Sequence, residues 1–219
     1  MSELQQYWEV ARGTLGFMLA VSVLTMAIAI ERWVALLRAR AALRAVDSRV
    51  VEAARQGQLA EARRHADALP SPLREVFTTG LDRALGRVPG EFGTAMARES
   101  RRAVARLRSG LWVLGSIGAL MPFAGLLGTV IGVMGSFQAI GEAQQGGFAV
   151  VSSGISHALV ATAAGLFVAL EAVVCFNALG QQAAGLGRDL GFLVDELGEL
   201  IRTRSASGEA HADRPAVGP

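Results

Sequence analysis

The chain has 219 residues, of which 52% are hydrophobic and only 18% are charged, a balance that excludes a soluble globular domain. The formal net charge is +2 and the arginines concentrate beside an apolar run, so membrane topology explains them better than nucleic-acid binding does. With one cysteine, no zinc-ligand spacing and no nucleotide fingerprint, we expect no disulfide, no metal site and no soluble cofactor.

The first apolar run covers residues 14–30 and is closed by Glu31, Arg32 and Trp33, which are typical of a membrane interface. Residues 1–13 lack the basic segment of a secretory signal, so we expect no cleavage there. The pattern predicts a first transmembrane helix over 14–33, preceded by a periplasmic segment.

Residues 34–109 form an arginine-rich region with helical periodicity. Its fifteen arginines against eight acidic residues predict a cytoplasmic location. Breaks at Pro70, Pro72 and Pro89 divide it. We predict helices that continue from the first span to about residue 56, cover 59–69, run from 73 to about 86, and lead from 91 directly into the second span.

The second apolar run, residues 111–141, carries no charge over roughly 30 residues, enough at about 1.5 Å per residue to cross a bilayer core. It predicts a transmembrane helix over 110–140, followed by a short external loop over 141–148. Pro122 should kink this helix unless its neighbours absorb the strain. Six glycines recur every three, four or seven residues and so line one face, which predicts close approach of another helix. These are Gly115, Gly118, Gly125, Gly128, Gly132 and Gly135.

Thr129 and Ser136 are seven residues apart and lie almost on one face of this helix. Two interpretations stay open for them. Each hydroxyl either bonds back to a carbonyl of the preceding turn or lines a pore.

The third apolar run predicts a transmembrane helix over 149–180 that contains His157, Thr162 and Glu171. Ionisable residues inside a membrane are costly, so each is a functional candidate. A stripe of small residues, with Gly154 and Gly165 among its members, predicts a second close helix contact. Beyond it, residues 181–204 read as an amphipathic cytoplasmic helix and residues 205–219 as a disordered cytoplasmic tail. The apolar positions of the amphipathic helix are Leu186, Leu190, Leu193, Leu197, Leu200 and Ile201.

Two segments resemble the signatures of the MotA/TolQ/ExbB family of bacterial ion-driven motor subunits. They are PFAGLLGTVIGVMGSFQAIG (122–141) and GISHALVATAAGLFVALEAVVCFN (154–177). The resemblance implies an all-α inner-membrane protein with three transmembrane helices and long cytoplasmic helical extensions. It implies five copies of the chain surrounding two single-span partner helices of the ExbD or TolR kind.

The resemblance also implies a proton channel that transmits force for uptake, envelope integrity or gliding motility, and no enzymatic activity. Thr129 and Thr162 match the threonines that face the partner's ion-carrying aspartate. Two positions depart from the family pattern. His157 replaces the glutamate of I-A-E-A-L, and Glu171 replaces the proline of A-I-P-A-V-V.

His157 and Glu171 are fourteen residues apart, about 21 Å along a helix axis, so they cannot touch within one subunit. Three interpretations remain. His157 serves as an ion-path residue; both residues are structural, with Glu171 paired to an arginine; or Glu171 supplies the acidic function at another depth. Their separation excludes an intramembrane enzyme that uses both side chains.

The alternative function is a non-conducting membrane scaffold assembled through the glycine faces. Neither the process that is powered nor the driving ion, proton or sodium, follows from the sequence.

Overall fold

The structure, a computed structural model, describes the backbone of residues 3–143 and 148–212 and the side chains of residues 13–138 and 152–204. All regular secondary structure in this described part is helical, as predicted. In chain order the elements are α1 (Glu3–Ala45), a π-helical segment (Val46–Val51), α2 (Glu52–Arg55), α3 (Leu59–Asp67), α4 (Leu73–Ala84), α5 (Phe92–Arg108), α6 (Leu111–Ala143) and α7 (Phe148–Ala212).

Three helical stretches of the described chain are long and apolar enough to cross a membrane. They lie within Gly13–Arg55, Phe92–Gln138 and Ser152–Arg204, and each contains one of the three predicted spans. This agrees with a protein that crosses a membrane three times.

The chain divides into two compact units. The first, called here the apolar unit, comprises Met1–Arg32 and Gly110–Gly180. The second, called the arginine-rich unit, comprises Trp33–Ser109 and Gln181–Pro219.

The apolar unit has a small buried cluster and a large exposed apolar surface. Met18 of α1 packs against Met121 of α6 and against Val168 and Ala169 of α7. Bulky apolar side chains point outward instead, and Phe123 is 68% exposed. An outer surface of this kind suits lipid and not water.

The arginine-rich unit has an ordinary apolar core. Phe77 and Leu81 of α4 and Met96 of α5 are completely or almost completely buried. Along α7, the predicted apolar stripe faces this core, since Leu186, Leu190, Leu197 and Ile201 are buried. An ion pair between Arg63 of α3 and Asp82 of α4 joins two of its helices.

Several helix boundaries differ from the predicted ones. The continuous helix predicted from residue 91 into the second span is wrong, because Gly110 has φ +82° and separates α5 from α6. A left-handed backbone at that position favours glycine and ends the helix. Through Pro122, by contrast, α6 continues without interruption.

The first helix, α1, already begins at Glu3, before the predicted span. The predicted disordered tail starts too early, because α7 continues to Ala212. The remaining tail residues, 213–219, and residues 144–147 of the predicted loop lie outside the described part of the chain.

Candidate functional site

The backbones of α6 and α7 touch where two glycines face each other. A Cβ atom at Gly165 would lie 2.7 Å from the carbonyl oxygen of Met121 and 2.8 Å from Cα of Gly125. A Cβ atom at Gly125 would lie 3.1 Å from Cα and from the carbonyl oxygen of Thr162. A Cβ atom at Gly165 would collide with backbone atoms and one at Gly125 would press on them, so the two glycines permit the contact.

The same contact continues along both helices in antiparallel order. A Cβ atom at Gly132 would lie 2.8 Å from Cβ of Ala158, and one at Gly118 would lie 2.6 Å from a methyl group of Val173. Gly128 faces both Ala161 and the methyl group of Thr14 on α1. Gly135 is buried and Pro122 is half-buried. The glycine face of α6 is therefore covered mainly by α7 of the same chain.

Beside the closest contact lie two threonine hydroxyls, one from each helix. Thr129 and Thr162 are both half-buried, and their hydroxyls hydrogen-bond each other. The Thr129 hydroxyl also lies 3.0 Å from the carbonyl oxygen of Ala158, and the Thr162 hydroxyl lies 3.0 Å from that of Gly125. We call these two hydroxyls and two carbonyls the threonine cluster.

The threonine cluster has more acceptors than protons. Each hydroxyl donates one proton but has two lone pairs, and the carbonyls only accept. The two carbonyls also accept backbone N–H groups within their own helices, and two hydroxyl protons cannot saturate the lone pairs of the two hydroxyl oxygens. The cluster is able to accept a further hydrogen bond from outside, and by rotating a hydroxyl it is able to donate one.

Ser136 lies in the same helix interface, seven residues beyond Thr129. Its hydroxyl donates a hydrogen bond to the carbonyl oxygen of Gly132 at 2.8 Å, and its side chain is buried. Gly154 of α7 packs directly on that hydroxyl. This is the hydrogen bond to the preceding turn that the sequence offered as one of two interpretations. The contact with Gly154 places Ser136 against α7.

His157 is exposed and lies away from the threonine cluster. It precedes Thr162 by five residues, which turns its side chain about 140° around the helix axis. Nδ1 lies 2.8 Å from the carbonyl oxygen of Ser153. Because a carbonyl only accepts, Nδ1 carries the proton, and in the neutral ring Nε2 is the atom that accepts one.

Glu171 also lies on another face of α7 than the threonine cluster. It follows Thr162 by nine residues, which is about half a turn of rotation. Its Oε2 atom accepts a 2.7 Å hydrogen bond from the hydroxyl of Ser22 on α1. The predicted alternative of an arginine partner is therefore wrong within the described residues, where the contact is to a serine.

Ser22 is the residue of this region that the sequence did not identify. The only signal for it was a hydroxyl in an otherwise apolar span, which many membrane helices tolerate. Thr25, three residues later, carries the same signal but donates only to the carbonyl oxygen of Val21 on its own helix.

Residues 68–190 match the model of the MotA/TolQ/ExbB proton channel family. The Tol-Pal system protein TolQ of Pseudomonas aeruginosa is 33% identical over 173 residues, which are 73% of this chain and 74% of that protein. Biopolymer transport protein ExbB of Neisseria meningitidis serogroup A is 32% identical over 195 residues, 84% of this chain and 89% of that protein. The TolQ protein of Haemophilus influenzae is 35% identical over 116 residues, 53% of this chain and only 50% of that protein.

Proposed function

Because the chain belongs to the MotA/TolQ/ExbB proton channel family, as its two signature segments predicted, we propose that it is the channel-forming subunit of a proton-driven motor that acts with a single-span partner of the ExbD or TolR kind. The observation that carries this proposal is the threonine cluster. It is a polar site built from both family signatures, set into an apolar helix pair.

A threonine hydroxyl suits a carboxyl group that gains and loses a proton. A protonated carboxyl of the partner would donate to the free acceptor capacity of the cluster, and an ionised carboxylate would accept from a rotated hydroxyl. Because neither Thr129 nor Thr162 is charged, the site does not trap the carboxylate in an ion pair. The partner is then free to move on after each proton transfer.

The proposed assembly follows the family: five copies of this chain surround two partner helices. In such a ring each subunit contacts its two neighbours through two different surfaces, and rotational symmetry closes the ring. The arginine-rich unit would lie in the cytoplasm by the positive-inside rule, with the N-terminus in the periplasm. Bilayer lipid would cover outward side chains such as Phe123.

Proton flux into liposomes that contain the chain and its single-span partner tests the proposal. Thr129→Val and Thr162→Val keep the side-chain shape but remove the hydroxyl. Loss of a hydrogen bond to a charged group, about 1.5–3 kcal/mol, predicts a flux reduced by about tenfold or more. Thr129→Ser and Thr162→Ser keep the hydroxyl and should keep most of the flux, and Ser136→Ala is the matched control in the same interface.

Full flux with valine at both positions would contradict the proposed role of the cluster. His157→Ala belongs in the same series, because a collapse of flux would make the imidazole a second ion-path residue. Unchanged flux would assign it a structural role.

The alternative is a scaffold that conducts nothing. The backbone contact at Gly125 and Gly165 favours it, because such packing builds a rigid helix pair whether or not ions pass. A well-formed complex that shows no flux in any preparation would favour the scaffold.

A further inference from the structure

Glu171 lies in the part of α7 that forms the third span, and its hydrogen-bond partner lies on another helix. The hydroxyl of Ser22 donates to Oε2 of Glu171 at 2.7 Å, and both side chains are half-buried. The residues next to both side chains along α1 and α7 are apolar. Val21 of α1 and Val168 and Ala169 of α7 belong to the same packed cluster, and Ala172 is completely buried.

The one cation among the described residues of the three predicted spans is Arg32, which lies ten residues beyond Ser22, about 15 Å along the helix axis, and forms an ion pair with Glu31. The described segments 13–30 of α1 and 111–138 of α6 contain no titratable side chain, and residues 152–179 of α7 contain only His157 and Cys175 besides Glu171. Cys175 lies one turn further along and carries no positive charge. His157 lies about 21 Å away along the helix axis.

An ionised carboxylate at this position would be poorly compensated. One serine hydroxyl is its hydrogen-bond donor, whereas buried charges in proteins are normally paired and multiply hydrogen-bonded. In a bilayer the surrounding medium supplies neither water nor counter-charge. A neutral carboxylic acid avoids this cost and still accepts the bond from Ser22.

We infer that Glu171 and Ser22 form a proton-binding site inside the membrane, separate from the threonine cluster, in which Glu171 holds a proton and ties the first span to the third. The site rests on the proposed function only in that the three spans cross a membrane. Loss of the proton would create a charge that must reach water, so ionisation loosens α1 from α7.

Infrared spectroscopy of the full chain in liposomes tests this site. At pH 7 the wild-type protein should show the carbonyl stretching band of a protonated carboxylic acid. That band should be missing from Glu171→Gln, whose amide has the same shape but no acidic proton. Identical carboxylic-acid bands in the two proteins would overturn the proposal, because Glu171 would then be ionised.

A matched pair of hydroxyl variants tests the geometry. Ser22→Ala removes the donor to Oε2 and should shift the Glu171 band to higher frequency. Thr25→Ala removes a hydroxyl that bonds only within α1 and should leave the band in place. Equal effects of the two variants would overturn the assignment of Ser22 as partner.

These spectra do not depend on conduction. A Glu171 band in a protein that passes no protons in any preparation would contradict the proposed channel but leave this site standing. Proton flux through a protein that lacks the band would support the proposed channel and contradict the Glu171 site.

Discussion

Gly165 of α7 and Gly125 of α6 bring two helix backbones into contact, because a Cβ atom at Gly165 would lie 2.8 Å from Cα of Gly125 and 2.7 Å from the carbonyl oxygen of Met121. Both neighbouring atoms belong to a backbone, so neither can rotate away as a side chain would. The separation of α6 and α7 is therefore set by residues that have no side chain.

Gly165→Ala should destabilise the apolar unit. The added methyl group forces the helices apart, and overpacking of this kind costs about 1–3 kcal/mol. The measurement is the midpoint temperature at which the detergent-solubilised protein loses its monodisperse peak. Gly180→Ala is the control, since a Cβ atom there has no neighbour within 4 Å and helix propensity favours alanine by up to about 1 kcal/mol. Equal midpoints for the two variants would contradict the close contact.

At positions 136 and 154, which face each other in the same interface, a small and a larger residue should be interchangeable. Ser136 and Gly154 are the residues present there. Gly154→Ala alone places a methyl group on the Ser136 hydroxyl and should lower the midpoint temperature. Ser136→Gly alone removes a side chain that bonds within its own helix and should have a smaller effect.

The double variant Ser136→Gly with Gly154→Ala should recover most of the lost stability, because the new methyl group occupies the vacated space. A coupling energy of about 0.5–3 kcal/mol is expected for residues in contact. Strictly additive single effects would show that the two residues do not touch.

The periodic features of this chain were predictable from the sequence. Apolar runs of sufficient length predicted the three spans, and the spacing of Gly125, Gly128 and Gly132 predicted a face for close packing. Only the tertiary structure shows that α7 of the same chain covers this face. Periodicity shows which side of a helix is special and does not identify its neighbour.

Contacts between distant segments were not predictable in this way. Ser22 and Glu171 are 149 positions apart, and a serine in a span carries no sign of its partner. For Thr129 and Thr162, only the family resemblance indicated a shared site, because it placed both residues opposite the partner's aspartate. The break at Gly110 was missed because a single glycine between a polar and an apolar helical pattern is also tolerated within a helix.

Gly110 should be sensitive to any side chain. Its φ of +82° strains an L-residue, and a Cβ atom there would lie 3.2 Å from the guanidinium group of Arg32. Gly110→Ala should therefore cost about 1–2 kcal/mol of strain, plus the cost of displacing Arg32. Gly86→Ala carries similar strain at φ +70° with open space around it. A larger loss of thermal stability for Gly110→Ala than for Gly86→Ala is the expected result, and the opposite order would contradict it.

Arg63 and Asp82 hold α3 to α4 through two parallel hydrogen bonds of 2.8 and 3.0 Å. Asp82→Asn should weaken this contact by about 1.5–3 kcal/mol, because a largely covered guanidinium loses the less exposed of its two carboxylate partners. The measurement is amide hydrogen exchange in the peptides of α3 and α4, which should be about tenfold or more faster. Asp67→Asn is the control, since Asp67 pairs with the same arginine but its side chain is 60% exposed, and about 0.5 kcal/mol or less is expected.

The effect of Asp82→Asn should depend on pH with a defined sign. Its hydrogen bonds with Arg63 hold the pKa of the Asp82 carboxyl below its ordinary value, and they outweigh the opposing effect of burial. A carboxyl with a lowered pKa in the folded state stabilises the fold above its unfolded pKa of about 3.9, and this stabilisation is lost as the pH falls through the folded value. The exchange-rate ratio between Asp82→Asn and wild type should thus be constant near neutral pH and shrink toward one below about pH 4. A ratio that stays constant down to pH 2 would show that the Asp82 carboxylate does not carry the contact.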